Sequence, residues 1–430
     1  MSEIILNRKL LSSQARIQVP WVKVTIGDYT FGIFDEVTKS WGRENKDGFY
    51  GPYQVQFPQY IKQLEVKKIN GQVNTYTLNI TYPITQFDDP NFFEKVFSSV
   101  SNTRKIIFTY GDAETPAYVY KNEEAIITGV QQSFNLQSSS IDYTVTAVSS
   151  AALSVDGSIT AIGTGNGEKA KPSEKIKELF RNNESLKNTF TGMTVAMLDE
   201  LIDSGDMEVQ LETKCNISAI DYINYLVGCM IPEGSTPGLS KEIYILTIHD
   251  DSITSANSTL SKNGPYFEVR KVSTIMERSD AYEIDIGINT STIVRQFTIE
   301  KNENFSIYYD YQNLAHPEKY KQVLGADGLW EYKFAPTSML RENKFDIKSN
   351  DMVWWTKATQ FPINASIQIQ GLLRPATLMQ YVRLNVIFPG GNKHVASGLY
   401  IVTRQVDNIG PNGYATNLGL TRIKGDTDSI

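Results

Sequence analysis

The last long stretch of the sequence, from Ser397 to Ile423, has the pattern of a β-hairpin and constrains the fold more than any other part of the chain. It is SGLYIVTRQVDNIGPNGYATNLGLTRI, with alternating residues on either side of a short segment, Ile-Gly-Pro-Asn-Gly at 409–413. That segment combines glycines, which tolerate positive φ, with a proline, which fixes φ, and therefore predicts a turn. The alternation predicts one shared face in each strand: Tyr400, Val402, Arg404 and Val406 in the first, and Tyr414, Thr416, Leu418 and Leu420 in the second.

A second stretch, from Glu124 to Ser149, has the same plan. A strand pattern at 127–136 is followed by a polar turn at 137–140 and then by a second alternating strand. In that strand the residues expected to share a face are Ile141, Tyr143, Val145 and Ala147. Another hairpin is predicted over 64–82, where Asn-Gly at 70–71 is a two-residue turn signal. Because each long hairpin ends a β-rich block, we expect two related β-units in one chain.

These patterns predict a mainly β protein with α+β parts. Two β-barrel domains are expected at 1–155 and 263–430, on either side of a small α/β middle domain at 156–262. The second β-domain is interrupted by an insertion at about 311–358, which is rich in proline and glycine. Helices are predicted at 88–101, from Pro172 onward, at 197–202 and at 218–230.

Composition excludes several classes of protein. The chain has 430 residues and a net charge of −7, which argues against a protein that coats nucleic acid. Its N-terminus does not have the pattern of a signal peptide, and the sequence has no apolar run long enough to span a membrane. Only Cys215 and Cys229 occur, so no cysteine metal cage is predicted, and we expect folding in a reducing cytoplasm.

No catalytic motif is present. The three histidines, His249, His316 and His394, lie in different neighbourhoods of the sequence and have no ligand partners at metal-binding spacing. The glycine-rich segment at 163–167 lacks the Gly-Lys-Ser/Thr ending of a phosphate-binding loop. We therefore expect a protein without enzymatic activity, cofactor or metal. Two alternatives stay open: a carbohydrate- or receptor-binding module that uses Trp354 and Trp355, and a cell-wall hydrolase with its site in the middle domain.

The closing segments resemble one known family. The residues that carry the resemblance are Gly398, Tyr400, Val402, Val406, Gly413, Tyr414, Ala415, Thr416, Leu418, Leu420 and Arg422, with the upstream segments ASIQIQGLLRPATL and RLNVIFPGG. This pattern is similar to that of the baseplate hub proteins of contractile phage tails, which include late control protein D and the hub part of type VI secretion spikes. The resemblance covers about 360–425 and extends more weakly over 60–150. The family's usual histidine is missing, and Asp407-Asn408 stands in its place.

The resemblance implies a homotrimer in the baseplate of a virion, made in the host cytoplasm. Each subunit would supply two tail-tube-like β-barrel domains, so that three chains form a ring of six similar units. The implied partners are the tail tube protein or a distal tail protein ring, a trimeric central spike protein and other baseplate proteins. A central channel would pass DNA without specific nucleic-acid binding, and no membrane span is implied.

Two sets of residues are candidates for assembly. The hairpin set follows from the resemblance: Tyr400, Val402, Tyr414, Thr416 and Leu418. The polar set includes Thr75 and Thr77, with Asn79 and Thr81 on the same face, and Thr144 and Thr146, with Asp142 on the same face. We predict that these polar faces line a channel or contact a neighbouring subunit, and an ordinary solvent-exposed face is the alternative for each.

Overall fold

The structure is a computed structural model of the chain. It describes residues 20–27, 29–31, 34–35, 40–41, 61–83, 96–97, 104–112, 120–135, 137–149, 151, 158–159, 169–211, 217–233, 244–249, 265–274, 282–287, 294–301, 321–324, 330–333, 363–370, 378–411 and 413–425.

The described strands are, in chain order, β1 (Pro20–Ile26), β2 (Tyr29–Phe31), β3 (Phe34–Asp35), β4 (Ser40–Trp41), β5 (Ile61–Ile69), β6 (Thr75–Pro83), β7 (Lys105–Asp112), β8 (Tyr120–Asn135), β9 (Ser140–Ser149), β10 (Ser158–Ile159), β11 (Lys169–Ala170), β12 (Val209–Gln210), β13 (Ile217–Ser218), β14 (Tyr244–His249), β15 (Tyr266–Lys271), β16 (Tyr282–Gly287), β17 (Val294–Lys301), β18 (Lys321–Leu324), β19 (Trp330–Lys333), β20 (Ile363–Gln370), β21 (Tyr381–Ile387), β22 (Gly398–Gly410) and β23 (Gly413–Gly425). The described α-helices are α1 (Pro172–Asn182), α2 (Glu184–Thr189), α3 (Leu198–Leu201) and α4 (Ala219–Cys229).

Most of the described strands join one large sheet, which confirms the mainly β prediction. One half of this sheet has the order β5-β6-β9-β8-β7-β1 and the other half has the order β17-β20-β23-β22-β21-β16. When the strands of each half are numbered along the chain, these two orders are the same. The sheet therefore consists of two β-units with one topology. They differ at one end, where β1 pairs antiparallel with β7 but β16 pairs parallel with β21.

The two β-units also share their irregularities. The register of β5 and β6 shifts between Ile61 and Gln63, and that of β17 and β20 shifts at the equivalent place, between Val294 and Gln296. Likewise, β8 and β9 shift at Thr128, and β22 and β23 shift at Thr403.

The side chains at this second bulge behave alike in both units. The Thr128 hydroxyl donates to the backbone oxygen of Thr146 at 3.2 Å. The Thr403 hydroxyl donates to the equivalent oxygen of Gly419 at 3.3 Å. A bulge bends and twists a strand, so both units curve at matching positions.

The sheet has a core side and an open face. On the core side, the first β-unit packs around Leu64, Leu78 and Tyr143, and this cluster is core 1. The second packs around Ile367, Leu384 and Leu418, and this cluster is core 3. The open face has polar side chains on successive strands: Gln131 and Ser133, Thr144 and Thr146, Thr75, Thr77 and Asn79, Glu65 and Lys67, Asn408, Asn417, Ser366 and Gln368, Gln296 and Thr298.

A bulge overturns one predicted face. The alternation placed Arg404 and Val406 on the face of Tyr400 and Val402, and this is wrong. The extra residue at Thr403 reverses the alternation, so that Arg404 and Val406 turn away from the core side while Gln405, Asp407 and Ile409 face it.

The middle part of the chain is a small α/β unit around a third cluster, core 2. The helices predicted from Pro172, at 197–202 and at 218–230 correspond to α1, α3 and α4. Ser218 caps α4, as its hydroxyl accepts from the backbone N–H of Asp221 at 3.1 Å. The strands β14 and β15 pack in core 2. The domain limits at 155 and 262 stay predictions.

The two-residue turn predicted at Asn70-Gly71 is longer in the structure, because β5 ends at Ile69 and β6 begins at Thr75. This connection packs on the middle unit: Asn224 of α4 donates to the Gly71 backbone oxygen at 2.8 Å, and Val73 contacts core 2. Two other predictions lie largely outside the described residues: the helix at 88–101, of which Val96 and Phe97 are described, and the insertion at 311–358, of which β18 and β19 are described.

Candidate assembly interface

The two β-units are joined by one strand pair, β22 with β5. The first half of β22 pairs with β21 of its own unit, from Gly398 to Ile401. The second half pairs antiparallel with β5 of the other unit, from Arg404 opposite Ile69 to Ile409 opposite Leu64. A long strand therefore passes from one unit to the next and makes the sheet continuous. We call this β22–β5 contact the intrachain junction.

The core side of the intrachain junction is sealed by apolar residues. Ile409 and Tyr414 belong to the hairpin of the second unit, yet both lie in core 1 of the first unit and are 0% exposed. Leu64 lies directly opposite Ile409 and is also 0% exposed. The hairpin tip of one unit thus completes the hydrophobic core of its neighbour, which stabilises the junction by removing apolar area from water.

A buried charged cluster lies beside these apolar residues. Lys68 is opposite Gln405 across the junction, and its ammonium lies 3.7 Å from the Glu123 carboxylate. Asp407 is fully buried and accepts from the Thr416 hydroxyl at 2.6 Å and from the Gln405 amide at 2.7 Å. Glu123 in turn accepts from the hydroxyl of Tyr76 at 2.8 Å. We call Lys68, Glu123 and Asp407 the junction charge cluster.

Burial controls the protonation of Asp407. Removal from water raises the pKa of its carboxyl above the usual range, and the charge of Lys68 and the hydrogen bonds from Thr416, Gln405 and Tyr414 oppose that rise. A buried charge is tolerated only where it is paired and hydrogen-bonded. The register that brings β22 and β5 together also brings Asp407 near Lys68, so the cluster favours this register over a shifted one.

On the open face, polar side chains connect neighbouring strands. Gln63 donates to the side-chain oxygen of Asn408 at 3.1 Å across the intrachain junction. Thr144 donates to Asn79 at 3.1 Å, and Thr81 donates to Asp142 at 2.5 Å. The open face is therefore polar across the boundary between the units as well as within each unit.

In each β-unit, one strand edge at a place equivalent to the intrachain junction has no strand neighbour among the described residues. In the first unit it is the second half of β8, because β7 pairs only with the first half, as far as Ile126. In the second unit it is the outer edge of β17, which pairs only with β20 among the described strands. Large apolar side chains lie exposed on β8, with Phe134 64% and Val130 43% exposed. We call these the β8 edge and the β17 edge. Among the described strands, β2 and β16 also pair on one side only.

The structure separates the residues predicted for assembly into two groups. Those from the last hairpin, which are Tyr400, Val402, Tyr414, Thr416 and Leu418, are all buried within the chain. Those from the polar set, which are Thr75, Thr77, Thr144 and Thr146, lie together on the open face. Their roles in assembly stay predictions.

Sequence reasoning missed Lys68 and Glu123, although a signal for Lys68 exists. Leu64, Val66 and Lys68 occupy successive inward positions of β5, so a lysine interrupts an otherwise apolar face. Such an interruption indicates a buried partner of opposite charge. Glu123 has no comparable signal, because it lies near the start of a strand beside another glutamate, Glu124.

The middle unit contains a further set of ionisable groups that contact one another. Glu268 accepts from His249 at 2.9 Å and from Arg270 at 3.0 Å, and Arg270 donates to Asp203 at 3.0 Å. Burial raises the pKa of Glu268, but the hydrogen bonds and charges of His249 and Arg270 outweigh burial and lower it to about 2. These groups form hydrogen bonds and ion pairs with one another, and they connect β14, β15 and the end of α3 in a structural network. Trp354, Trp355 and His316 lie outside the described residues.

Among the helices that the structure describes, none has both the length and the apolar character needed to cross a membrane.

No protein family model matches the sequence, and a search among curated proteins finds no match. Several solved structures are similar to this chain. The tail protein from Neisseria meningitidis MC58 has a TM-score of 0.43 and 9% identity, over 94% of this chain and 96% of that chain. The 43 kDa tail protein of prophage MuSo2 from Shewanella oneidensis has a TM-score of 0.46 and 8% identity, over 94% of this chain and 99% of that chain. Prophage tail protein gp18 from Listeria monocytogenes EGD-e has a TM-score of 0.42 and 9% identity, over 93% of this chain and 94% of that chain.

Proposed function

We propose that this chain is a structural hub protein of a phage tail or of a related injection machine. Three copies form a ring of six β-units. The ring joins the sixfold tail tube, or a distal tail protein ring, on one side to a trimeric central spike on the other, and its centre is a channel for DNA. In this role the protein is a virion component that works without catalysis.

One observation carries the proposal: the chain contains two β-units of the same strand order, and the β22 edge of one pairs with the β5 edge of the other. The equivalents of these two edges, on β8 and β17, have no strand neighbour among the described residues. Such a chain is suited to a symmetry mismatch. A surface repeated six times around a tube needs six comparable contacts, whereas a trimeric spike needs three identical ones. Three chains with two similar units each meet both demands.

The open face supports the assignment of a channel. Its described side chains are mostly Thr, Asn, Gln and Ser, and the charged residues among them include both signs, such as Glu65 and Lys67. Affinity for DNA comes mainly from cations that neutralise phosphates. A lining that is polar and nearly neutral lets a duplex pass without being held, while the apolar cores lie on the opposite side of the sheet.

The absence of catalysis is part of the proposal and rests on the arrangement of charged groups. His249, Glu268 and Arg270 are engaged with one another in the middle unit, and Lys68 and Glu123 are engaged in the junction charge cluster. Both networks are buried in structural positions between elements. A scaffold function uses such networks to fix register and domain position.

The proposal is tested by the solution mass of the purified full-length chain, measured by light scattering during size-exclusion chromatography. We expect a species with three times the chain mass of 48.3 kDa. A stable dimer would contradict the proposal, as would a monomer that degrades purified peptidoglycan, since the latter points to the hydrolase alternative.

A further inference from the structure

Because the two β-units have the same topology, the residue pairs of the intrachain junction can be used to predict equivalent pairs between the β8 edge and the β17 edge. Because the bulges at Thr128 and Thr403 coincide, residues of β8 and β22 correspond one to one, and Phe134 is the equivalent of Ile409. Because the bulges near the starts of β5 and β17 coincide, these strands correspond as well, and Phe297 is the equivalent of Leu64. The intrachain pair Ile409–Leu64 therefore maps onto Phe134 and Phe297.

We propose that the β8 edge of one copy pairs antiparallel with the β17 edge of the next copy, in the register of the intrachain junction. The predicted residue pairs are Val130 with Lys301, Gln131 with Glu300, Gln132 with Ile299, Ser133 with Thr298, and Phe134 with Phe297. This inference rests on the proposed function, which requires contacts between copies, and it specifies which strands and residues make them. The partner is a second copy of this chain.

Unpaired strand edges give the first reason for this contact. An exposed edge presents a row of backbone N–H and C=O groups that readily pair with another strand. The described residues show no bulge over 130–134 of β8 or over 297–301 of β17, so both segments are regular enough to pair. At the intrachain junction, the equivalent segments of β22 and β5 do pair along this length.

Exposed apolar side chains give the second reason. Phe134 is 64% exposed in the single chain, whereas its equivalent Ile409 is 0% exposed because the neighbouring unit covers it. Phe297 and Ile299 are half-buried against core 3, on the side of the sheet that Phe134 would reach. Pairing in the proposed register places Phe134 beside these residues and completes core 3, as Ile409 completes core 1.

The new junction differs from the intrachain junction in the charge of its buried side. The equivalents of the two acidic members of the junction charge cluster are neutral: Gly398 takes the place of Glu123, and Gln132 takes the place of Asp407. The junction charge cluster therefore marks the contact within a chain. The β8 edge that a second copy brings to the β17 edge is neutral and partly apolar. The contact between copies therefore has no carboxylate at the positions equivalent to Glu123 and Asp407.

The contact is heterologous, because one copy uses its β8 edge and the other uses its β17 edge. Contacts of this kind propagate from copy to copy until a ring closes or a fibre forms. In the proposed ring of three copies, no β8 edge or β17 edge remains unpaired.

Disulfide formation between engineered cysteines tests the register. The test pair is Ser133→Cys with Thr298→Cys, which face each other on the open face in the proposed register. The shifted pair is Ser133→Cys with Glu300→Cys, which places the two sulfurs about 7 Å farther along the strand. The geometric control is Asn408→Cys with Glu65→Cys, the equivalent pair of the intrachain junction. Each protein is oxidised mildly and examined on a denaturing, non-reducing gel, and its mass is measured in solution beforehand.

We expect the test pair to give covalent trimers, the shifted pair to give far fewer, and the control pair to cross-link within one chain. A trimer in solution whose test pair stays reduced, while the control pair oxidises, would overturn the register and leave the proposed function standing. A chain that is not a trimer in solution and forms no cross-link between copies would contradict both.

A second variant tests the apolar anchor. Phe134→Ser should raise the protein concentration needed for half-maximal assembly at least tenfold, since the phenyl group of Phe134 makes the main apolar contact of the β8 edge. Phe388→Ser is the matched control, because Phe388 is also a half-exposed phenylalanine, at 50%, but lies in the connection between β21 and β22. Equal effects of the two variants would argue against Phe134 as the anchor. Unchanged far-UV circular dichroism of the dilute monomers shows that both variants fold.

Discussion

At the scale of single residues, the most constrained position is Asp407. Its carboxylate is fully buried, and its acceptor capacity is used by Thr416 and Gln405 beside Lys68. Removing one member of a buried charged cluster leaves the groups that face it with less compensation for their burial, which costs more than the intact cluster contributes.

Substitution of this residue is therefore expected to be costly. Asp407→Ala should lower the free energy of unfolding by about 3 kcal/mol, since it removes one of the two acidic neighbours of Lys68 and takes the acceptor from the buried donors of Thr416 and Gln405. Its neighbour Asn408 provides the control, because Asn408 is half-buried on the open face and makes one side-chain hydrogen bond, to Gln63. Asn408→Ala should lower the free energy of unfolding by about 1 kcal/mol or less. Urea titration followed by circular dichroism measures both, and equal losses would contradict the assigned role.

At the scale of elements, the connection between β5 and β6 shows how tertiary contacts override a local signal. The Asn-Gly sequence favours a two-residue turn. The chain instead forms a longer loop, because residues 70–74 pack on α4, where Asn224 donates to Gly71 and Val73 joins core 2. This contact ties the first β-unit to the middle unit, and no local pattern contains it.

Gly71 is the residue on which this contact depends. Its φ is +72°, and a Cβ added there would lie 2.4 Å from Asn224 Oδ1. Gly391 is a matched control, because its φ is +85° and a Cβ there would meet no atom within 4 Å. Both substitutions to Ala incur backbone strain of about 1 kcal/mol. Gly71→Ala should lower the free energy of unfolding by about 2 kcal/mol more than Gly391→Ala, since it also displaces Asn224. Similar thermal midpoints for the two variants would show that the loop contact is unimportant.

The strands themselves were predictable where alternation is regular. The sequence indicates β6, β9 and the part of β23 up to Leu420, with their inward faces, because each of these segments alternates without interruption. It does not indicate the bulge at Thr403, which has no glycine or proline to mark it and is set by pairing with β23. Alternation therefore predicts the wrong face for Arg404 and Val406, and it does not reveal the inward positions of Gln405 and Asp407.

At the scale of the whole molecule, the sequence predicts two related β-units from two similar hairpins. The structure adds what hairpin patterns cannot contain: the shared strand order, the intrachain junction between β22 and β5, and the equivalent β8 edge and β17 edge. Pairing of strands far apart in the chain depends on side chains that meet only in the folded state. No local sequence pattern shows that β22 is divided between two partner strands. The sequence alone therefore predicts neither the intrachain junction nor the β8 edge and the β17 edge that are equivalent to it.

We propose that three copies continue one sheet around a channel, with two β-units from each chain. This proposal is tested most directly by electron microscopy of the light-scattering peak, viewed down the particle axis. We predict rings with an open centre and six similar lobes, which alternate between the two β-units of each chain. Compact particles without a central opening, or rings whose lobe number is not twice the number of chains, would contradict the account.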